Sequence, residues 1–360
     1  MDTVETLAFR KLLVTAAKAE ASDLHLSVGS LPMMRVGGIL QPLEEEETMT
    51  ALILEHIVDS IIDMPQRERL EKNRDLVIMK VFDERIRAKV HIFYQEDMLT
   101  LSLRLLKLDV GMVRTLQIPK DFERFAELKN GLVIVGGHYG SGRTTLAMAL
   151  LEHINQQRIE HIVTLEEPVE YDLVGAKSIV NQREVGRDVN SFEDGLASIE
   201  KEDVDVLLIS DVSSPAAIRR TLELANAGVL VITIMDISSA EKALEKLLSH
   251  FAQHEQVYIR ELLADALRGV VIQYLLPKIG GGLTSVHEVL LNTPTVRSFI
   301  LSDRLTQLDG LIATSRREGM LSFDHELAGL VKSRAISLEH AREVSRNHEL
   351  FESLVKGIFS

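Results

Sequence analysis

One segment restricts the fold more than any other: GLVIVGGHYGSGRTTLAMALLEHI, residues 131–154. A short, β-branched apolar run passes through a glycine-rich turn into a stretch with helical spacing. The turn spells G-x-x-x-x-G-[R]-[T], which is the phosphate-binding P-loop pattern with Arg143 where a lysine is usual. The pattern carries chemistry for physical reasons. Gly137, Gly140 and Gly142 let the backbone wrap closely around phosphates. The following helix aims its free N–H groups, through Ser141 to Thr145, at the same place. The Thr144 hydroxyl is the expected Mg²⁺ ligand, and the cation at 143 is the group expected to reach the outer phosphates. Taken alone, the segment also fits a plain glycine-rich turn between a strand and a helix. A dinucleotide fingerprint fits less well: Glu166 follows the next strand as it should, but Thr145 stands where the third glycine belongs.

The context predicts where this unit sits. Before residue 110, helical spacing over 5–19 and 48–63 frames alternating segments at 22–27, 33–43, 75–82, 85–94 and 100–106. Gly37-Gly38 supplies a hairpin turn and Pro65 opens a helix in its first turn. This reads as a small α+β domain with an antiparallel sheet over 1–110, and 111–121 as a linker. From 122 to 285 short apolar runs (131–136, 161–165, 205–210, 229–235) alternate with longer helical segments, the pattern of βαβ units around a buried, mostly parallel sheet. Residues 286–360 read as a helical C-terminal region.

Composition excludes several functions. The chain has 360 residues, enough for two domains, with 54 acidic against 40 basic side chains and a net charge of −14. That balance opposes a broad nucleic-acid footprint. With no cysteine there are no disulfides or thiolate metal sites. Histidines at 25, 91, 153, 161 and 250 lack metal-binding spacing. The N-terminal segment does not read as a signal peptide, and no apolar run approaches the roughly 18 residues of a membrane span. The expectation is a cytoplasmic protein that meets a membrane only through partners.

Beyond the loop, ASDLHLSVGSLPMMRVGG (21–38), VNQREVGRD (180–188), KIGGGLTSVHEVLLNTPTVRSFI (278–300) and GMLSFDHELAGLV (319–331) fall in one order and spacing. Through these segments nearly the whole chain resembles the retraction ATPases of type IV pili, the PilT/PilU group. The resemblance implies a PAS-like N-terminal domain, a RecA-like P-loop domain, ATP or ADP with Mg²⁺, and a hexameric ring, homomeric or mixed. It also implies as partners the inner-membrane pilus platform or an active paralogous ATPase.

Set against that family, this chain departs where the chemistry lies. Arg143 replaces the P-loop lysine; the charge is kept, but the guanidinium is planar and reaches differently. In DVDVLLISDV (203–212), Ser210-Asp211 stands where the family has Gly and a catalytic Glu, leaving Asp211 as a shorter carboxylate. A water-positioning group displaced by ~1 Å can cost on the order of 10²-fold in rate. In GVLVITIMDISSA (228–240), Val229 and Asp236 replace two histidines. In RAKVHIFYQED (87–97), Lys89 and Asp97 stand at positions of family arginines, while Arg104 is kept as the interface arginine. LEEPVEY (165–171) resembles the family's acidic box, with Glu167 as the expected catalytic or Mg²⁺-binding carboxylate beside Glu166. Arg297 in TVRSFI (295–300) corresponds to a motif tied to retraction.

Three readings follow: a degenerate P-loop subunit, a pseudo-ATPase that binds nucleotide and regulates or partners a motor; an active retraction motor; and a structural protein of the same fold that binds no nucleotide. Several altered groups in one phosphoryl-transfer site weigh against efficient turnover, and the retained glycine spacing weighs for binding.

Overall fold

The computed structural model describes residues 4–82, 86–107 and 122–357. The segment read as a linker, 111–121, lies outside them. The chain divides into two units: Met1–Met112 with Pro168–Glu170, and Val113–Glu167 with Tyr171–Ser360.

In the first unit, α1 (Val4–Lys18) leads into β1 (Asp23–Ser27), β2 (Met33–Val36) and β3 (Ile39–Pro42). Two helices follow, α2 (Ala51–Ile61) and α3 (Met64–Asn73), then β4 (Asp75–Phe82), β5 (Ile86–Gln95) and β6 (Met98–Lys107). The strands form one antiparallel sheet in the order β3-β2-β1-β6-β5-β4. Burial alternates along β5, as a sheet with one covered face requires. The covered face packs Leu24, Leu26, Val90, Ile92 and Leu101 against Phe9 and Leu13 of α1 and Leu54, Ile57 and Val58 of α2. Gly37 and Gly38, with φ of 58° and 86°, make the β2–β3 turn. The helix starts are capped locally: Thr50 accepts from the Ile53 N–H at 3.2 Å, and Asp63 forms a reciprocal capping box with Gln66, with Pro65 in the first turn.

The second unit opens with α4 (Glu123–Ala126), β7 (Gly131–Gly137), α5 (Arg143–Gln157), β8 (His161–Glu166) and β9 (Ile179–Glu184). It continues with α6 (Phe192–Ile199), β10 (Val206–Ile209), α7 (Pro215–Ala227), β11 (Leu230–Asp236), α8 (Ala240–Ser249) and α9 (Gln253–Ala266). A hairpin, β12 (Leu267–Pro277) and β13 (Leu283–Leu291), precedes α10 (Pro294–Leu301), α11 (Leu308–Thr314), α12 (Phe323–Lys332), α13 (Leu338–Val344) and α14 (His348–Val355). The seven strands run β13-β12-β7-β11-β10-β8-β9, parallel throughout except for the β12–β13 pair. Every residue of β7 is buried, because helices cover both faces of the sheet. Leu132 and Ile134 face one core and Val133 and Val135 the other, the two-residue period of a strand.

The α/β reading holds, with one difference in detail. The boundary read at 285/286 falls inside β13, so the C-terminal region begins with a strand. The β12–β13 pairing carries the sheet past that point, and its turn is built on Gly280, Gly281 and Gly282, all at positive φ. The helices beyond pack a separate core: Phe323, Leu327, Phe351 and Leu354 close over Leu276 and Val286. Burying each such side chain contributes about 1.5–3 kcal/mol.

Candidate phosphate-binding site

The P-loop spans the C-terminal end of β7 and the start of α5. Gly137, Gly140 and Gly142 have φ of 152°, 81° and 84°, so the loop's path depends on the absence of a Cβ. A Cβ on Gly137 would meet the Gln273 carbonyl oxygen and Ser141 Oγ at 2.3 Å, and one on Gly142 would lie 2.6 Å from Gln273 Nε2. Gly142 is the N-cap of α5 in the left-handed region, so the first N–H groups of α5 have no intrahelical acceptor.

The loop is held from the neighbouring strand. Gln273 of β12 donates from Nε2 to the Ser141 carbonyl oxygen at 2.7 Å. Its Oε1 lies 3.1 Å from His287 Nε2 of β13, whose Nδ1 is 3.3 Å from Glu326 Oε1 of α12. Tyr274 Oη lies 3.2 Å from His138 Nε2 and donates to the Ser238 carbonyl oxygen at 2.9 Å. Ser141 itself is buried, and among the described residues its hydroxyl has no hydrogen-bond partner. A buried, orphaned hydroxyl within a glycine cradle at a helix N-terminus fits an anionic oxygen ligand.

Arg143 has a different setting from a phosphate-reaching lysine. Its Nη1 donates to the Gly137 carbonyl oxygen at 2.8 Å and lies 3.5 Å from Asp236 Oδ1. Asp236 ends β11, directly opposite Gly137 in the parallel register, which brings its carboxylate to the loop's root. The two substitutions noted separately in the sequence therefore form one ion pair. Val229, read with Asp236 as part of one histidine box, lies at the other end of β11, a strand of 7 residues, roughly 20 Å away. It packs against the core instead.

A cleft of about 270 Å³ opens beside this pair, lined by Arg143, Ser210, Asp211, Ser213, Asp236 and Lys246 among others. Ser210 and Asp211 directly follow β10, and Asp211 Oδ2 accepts from Ser213 Oγ at 2.6 Å. Ser214 caps α7 and donates to Glu193, whose carboxyl that hydroxyl holds below its usual range. At the end of β8 the two acids differ. Glu166 is buried and accepts from Thr164 Oγ1 at 2.6 Å and Gln182 Nε2 at 3.1 Å, whereas Glu167 is exposed. Thr144 is half-buried in the first turn of α5, and Thr145 Oγ1 lies 2.9 Å from Tyr171 Oη.

The remaining candidates are elsewhere. Arg104 of β6 belongs to the first unit, flanked across the sheet by Asp23 and Lys89. Lys89 Nζ is 3.2 Å from Glu170 Oε1. Asp97 lies in the tight β5–β6 turn at φ 62° and pairs with Arg74. Arg297 of α10 pairs with Asp265 of α9. Sequence reading missed Gln273, Tyr274 and Lys246; the polar Gln-Tyr step inside the apolar run LRGVVIQYLLP was the available signal for the first two.

Comparisons with known proteins agree on the family. The family model for type II/IV secretion system proteins matches residues 2–299. The type IV pilus retraction ATPase PilT of Pseudomonas aeruginosa is 35% identical over 356 residues, covering 98% of this chain and 100% of that protein. The type IV pilus ATPase PilU of the same organism is 30% identical over 341 residues, covering 93% and 88%. A crystal structure of the pilus retraction motor PilT with bound ADP superposes with a TM-score of 0.81 at 30% identity, covering 95% of this chain and 98% of that one.

Proposed function

Since this chain belongs to the type II/IV secretion system protein family, as a homologue of the type IV pilus retraction ATPases, we propose that it serves a pilus machinery as a nucleotide-binding but hydrolysis-poor ring subunit that regulates or partners an active motor. The observation that carries this reading is the engagement of Arg143 by the Gly137 carbonyl oxygen and Asp236. A cation so held is drawn away from the outer phosphates, where transition-state charge has to be met.

Binding is supported by other features. The glycine cradle, the orphaned Ser141 hydroxyl and the N-terminus of α5, which has no side-chain cap, suit the phosphates of ADP or ATP. Thr144 is the residue to hold Mg²⁺, with Glu167 of the acidic box as its proposed partner acid; the ion would screen phosphate charge. Asp211 and Glu167 are the carboxylates left to orient water, and both are exposed rather than held in a dry pocket. Arg104 is proposed for a role at subunit interfaces, and Arg297 for the role of the retraction motif. The ring, homomeric or mixed, would act on the inner-membrane platform from the cytoplasmic side; no helix of the described residues is long and apolar enough to cross a membrane.

The test is ATP binding and steady-state hydrolysis by the purified chain with Mg²⁺, beside Arg143→Lys. Binding with turnover near background is expected, with a gain in turnover for the lysine variant. Turnover by the unsubstituted chain at the level of a retraction motor would overturn the proposal.

A further inference from the structure

The cleft beside the P-loop contains a second cation. Lys246 is on α8, a helix fixed at its N-terminus by two bonds: Ser239 accepts from the Lys242 N–H at 3.2 Å, and buried Glu288 accepts from the Ala240 N–H at 2.8 Å. Ala243, Leu244, Leu247 and Leu248 bury the opposite face of the helix, so the Lys246 stem rises from a rigid base. Its Nζ donates to the Asp236 carbonyl oxygen at 3.3 Å. That oxygen belongs to the residue paired in register with Gly137, so the ammonium lies at the root of the loop.

The two cations of the cleft have different partners. Arg143 is matched by the Asp236 carboxylate and a carbonyl, whereas the hydrogen bond of Lys246 among the described residues goes to a neutral carbonyl. Asp211, which also lines the cleft, accepts from Ser213. A lysine ammonium is a compact charge on a flexible stem with three donors, so it can turn to a phosphate oxygen at small cost; the Arg143 guanidinium is tied at Nη1 to the Gly137 carbonyl oxygen and has its charge matched by the Asp236 carboxylate. We infer that Lys246, from α8, is the side chain that meets the outer phosphate of a bound nucleotide in this chain, taking the part that the P-loop lysine position has lost.

This inference rests on the nucleotide-binding reading above, and one calorimetric titration with ADP and Mg²⁺ separates the two. The full-length chain is compared with Lys246→Ala, Lys246→Arg, and the double variant Arg143→Gln/Asp236→Asn, which removes the internally neutralised pair as a unit. Lys246→Ala is expected to weaken ADP binding by at least about tenfold, the loss of one charge-assisted hydrogen bond. Lys246→Arg should recover most of that loss, which a merely structural role would not predict. The double variant should change affinity by less than about threefold, since the pair contributes opposing charges. Lys246→Ala within about twofold of the parent, or a double variant that loses as much as Lys246→Ala, would overturn the role of Lys246 while leaving nucleotide binding intact. No ADP binding by the unsubstituted chain would overturn both readings, and would be evident before any variant is made.

Discussion

Neutralising Asp236 isolates the effect of the ion pair on the loop cation. At the observed 3.5 Å, two unit charges attract by about 1 kcal/mol in bulk water and about 5 kcal/mol at the effective dielectric of about 20 typical near protein surfaces. The Asp236 side chain is 59% exposed and that of Arg143 16%, so solvent screening pulls the value toward the lower bound. An effect of about 1–2 kcal/mol follows, or roughly 5- to 30-fold in an equilibrium constant. In Asp236→Asn, Arg143 keeps its bond to the Gly137 carbonyl oxygen but loses the carboxylate. It can then serve a third phosphate, and the repulsion between Asp236 and that phosphate disappears as well. ATP should bind about 5- to 30-fold more tightly, with a smaller gain for ADP, whose charge ends one phosphate sooner. The assay is calorimetry with both nucleotides at two salt concentrations. Adding Arg143→Gln to Asp236→Asn should cancel the gain. An Asp236→Asn variant that binds ATP no better than the parent, or whose gain survives removal of Arg143, would refute the reasoning.

Two further substitutions probe the scaffold. Gly142→Ala places a Cβ at φ 84° and 2.6 Å from Gln273 Nε2, so it should displace the brace on Ser141 and lower ADP affinity by more than about tenfold, with the melting temperature as the control for folding. Arg346→Ala removes the cation paired with buried Glu288, whose carboxyl is pushed up by burial and pulled down in part by Arg346. The folded state then holds a proton at pH values where the unfolded chain has lost it, so stability should fall as pH rises above the ordinary carboxylate range. The loss relative to the parent should reach about 3–5 kcal/mol once the carboxyl is ionised and shrink toward acid pH. A pH-independent difference in denaturant midpoint would count against the assignment.

The local elements were legible because their causes are local. Period-two burial in β5, the Gly37-Gly38 turn, Pro65 in a first helical turn and the buried β7 run are written in consecutive residues. The P-loop's shape follows equally from Gly137, Gly140 and Gly142, whose positive φ values no other residue adopts cheaply. The hairpin of β12 and β13 was not legible as such, since its Gln273, Tyr274 and His287 interrupt the apolar run to serve groups on other elements.

The sequence by itself therefore determined the α/β class, the strand–loop–helix that defines the site, and the loss of the usual lysine. What that loss does was decided only by tertiary structure. Parallel pairing of β7 with β11 sets Asp236 beside Arg143, and packing of α8 brings Lys246 to the same cleft. The physical reason is that a charge acts through its distance to other charges. Strand order, unlike spacing along the chain, sets the distance between residues that are far apart in sequence.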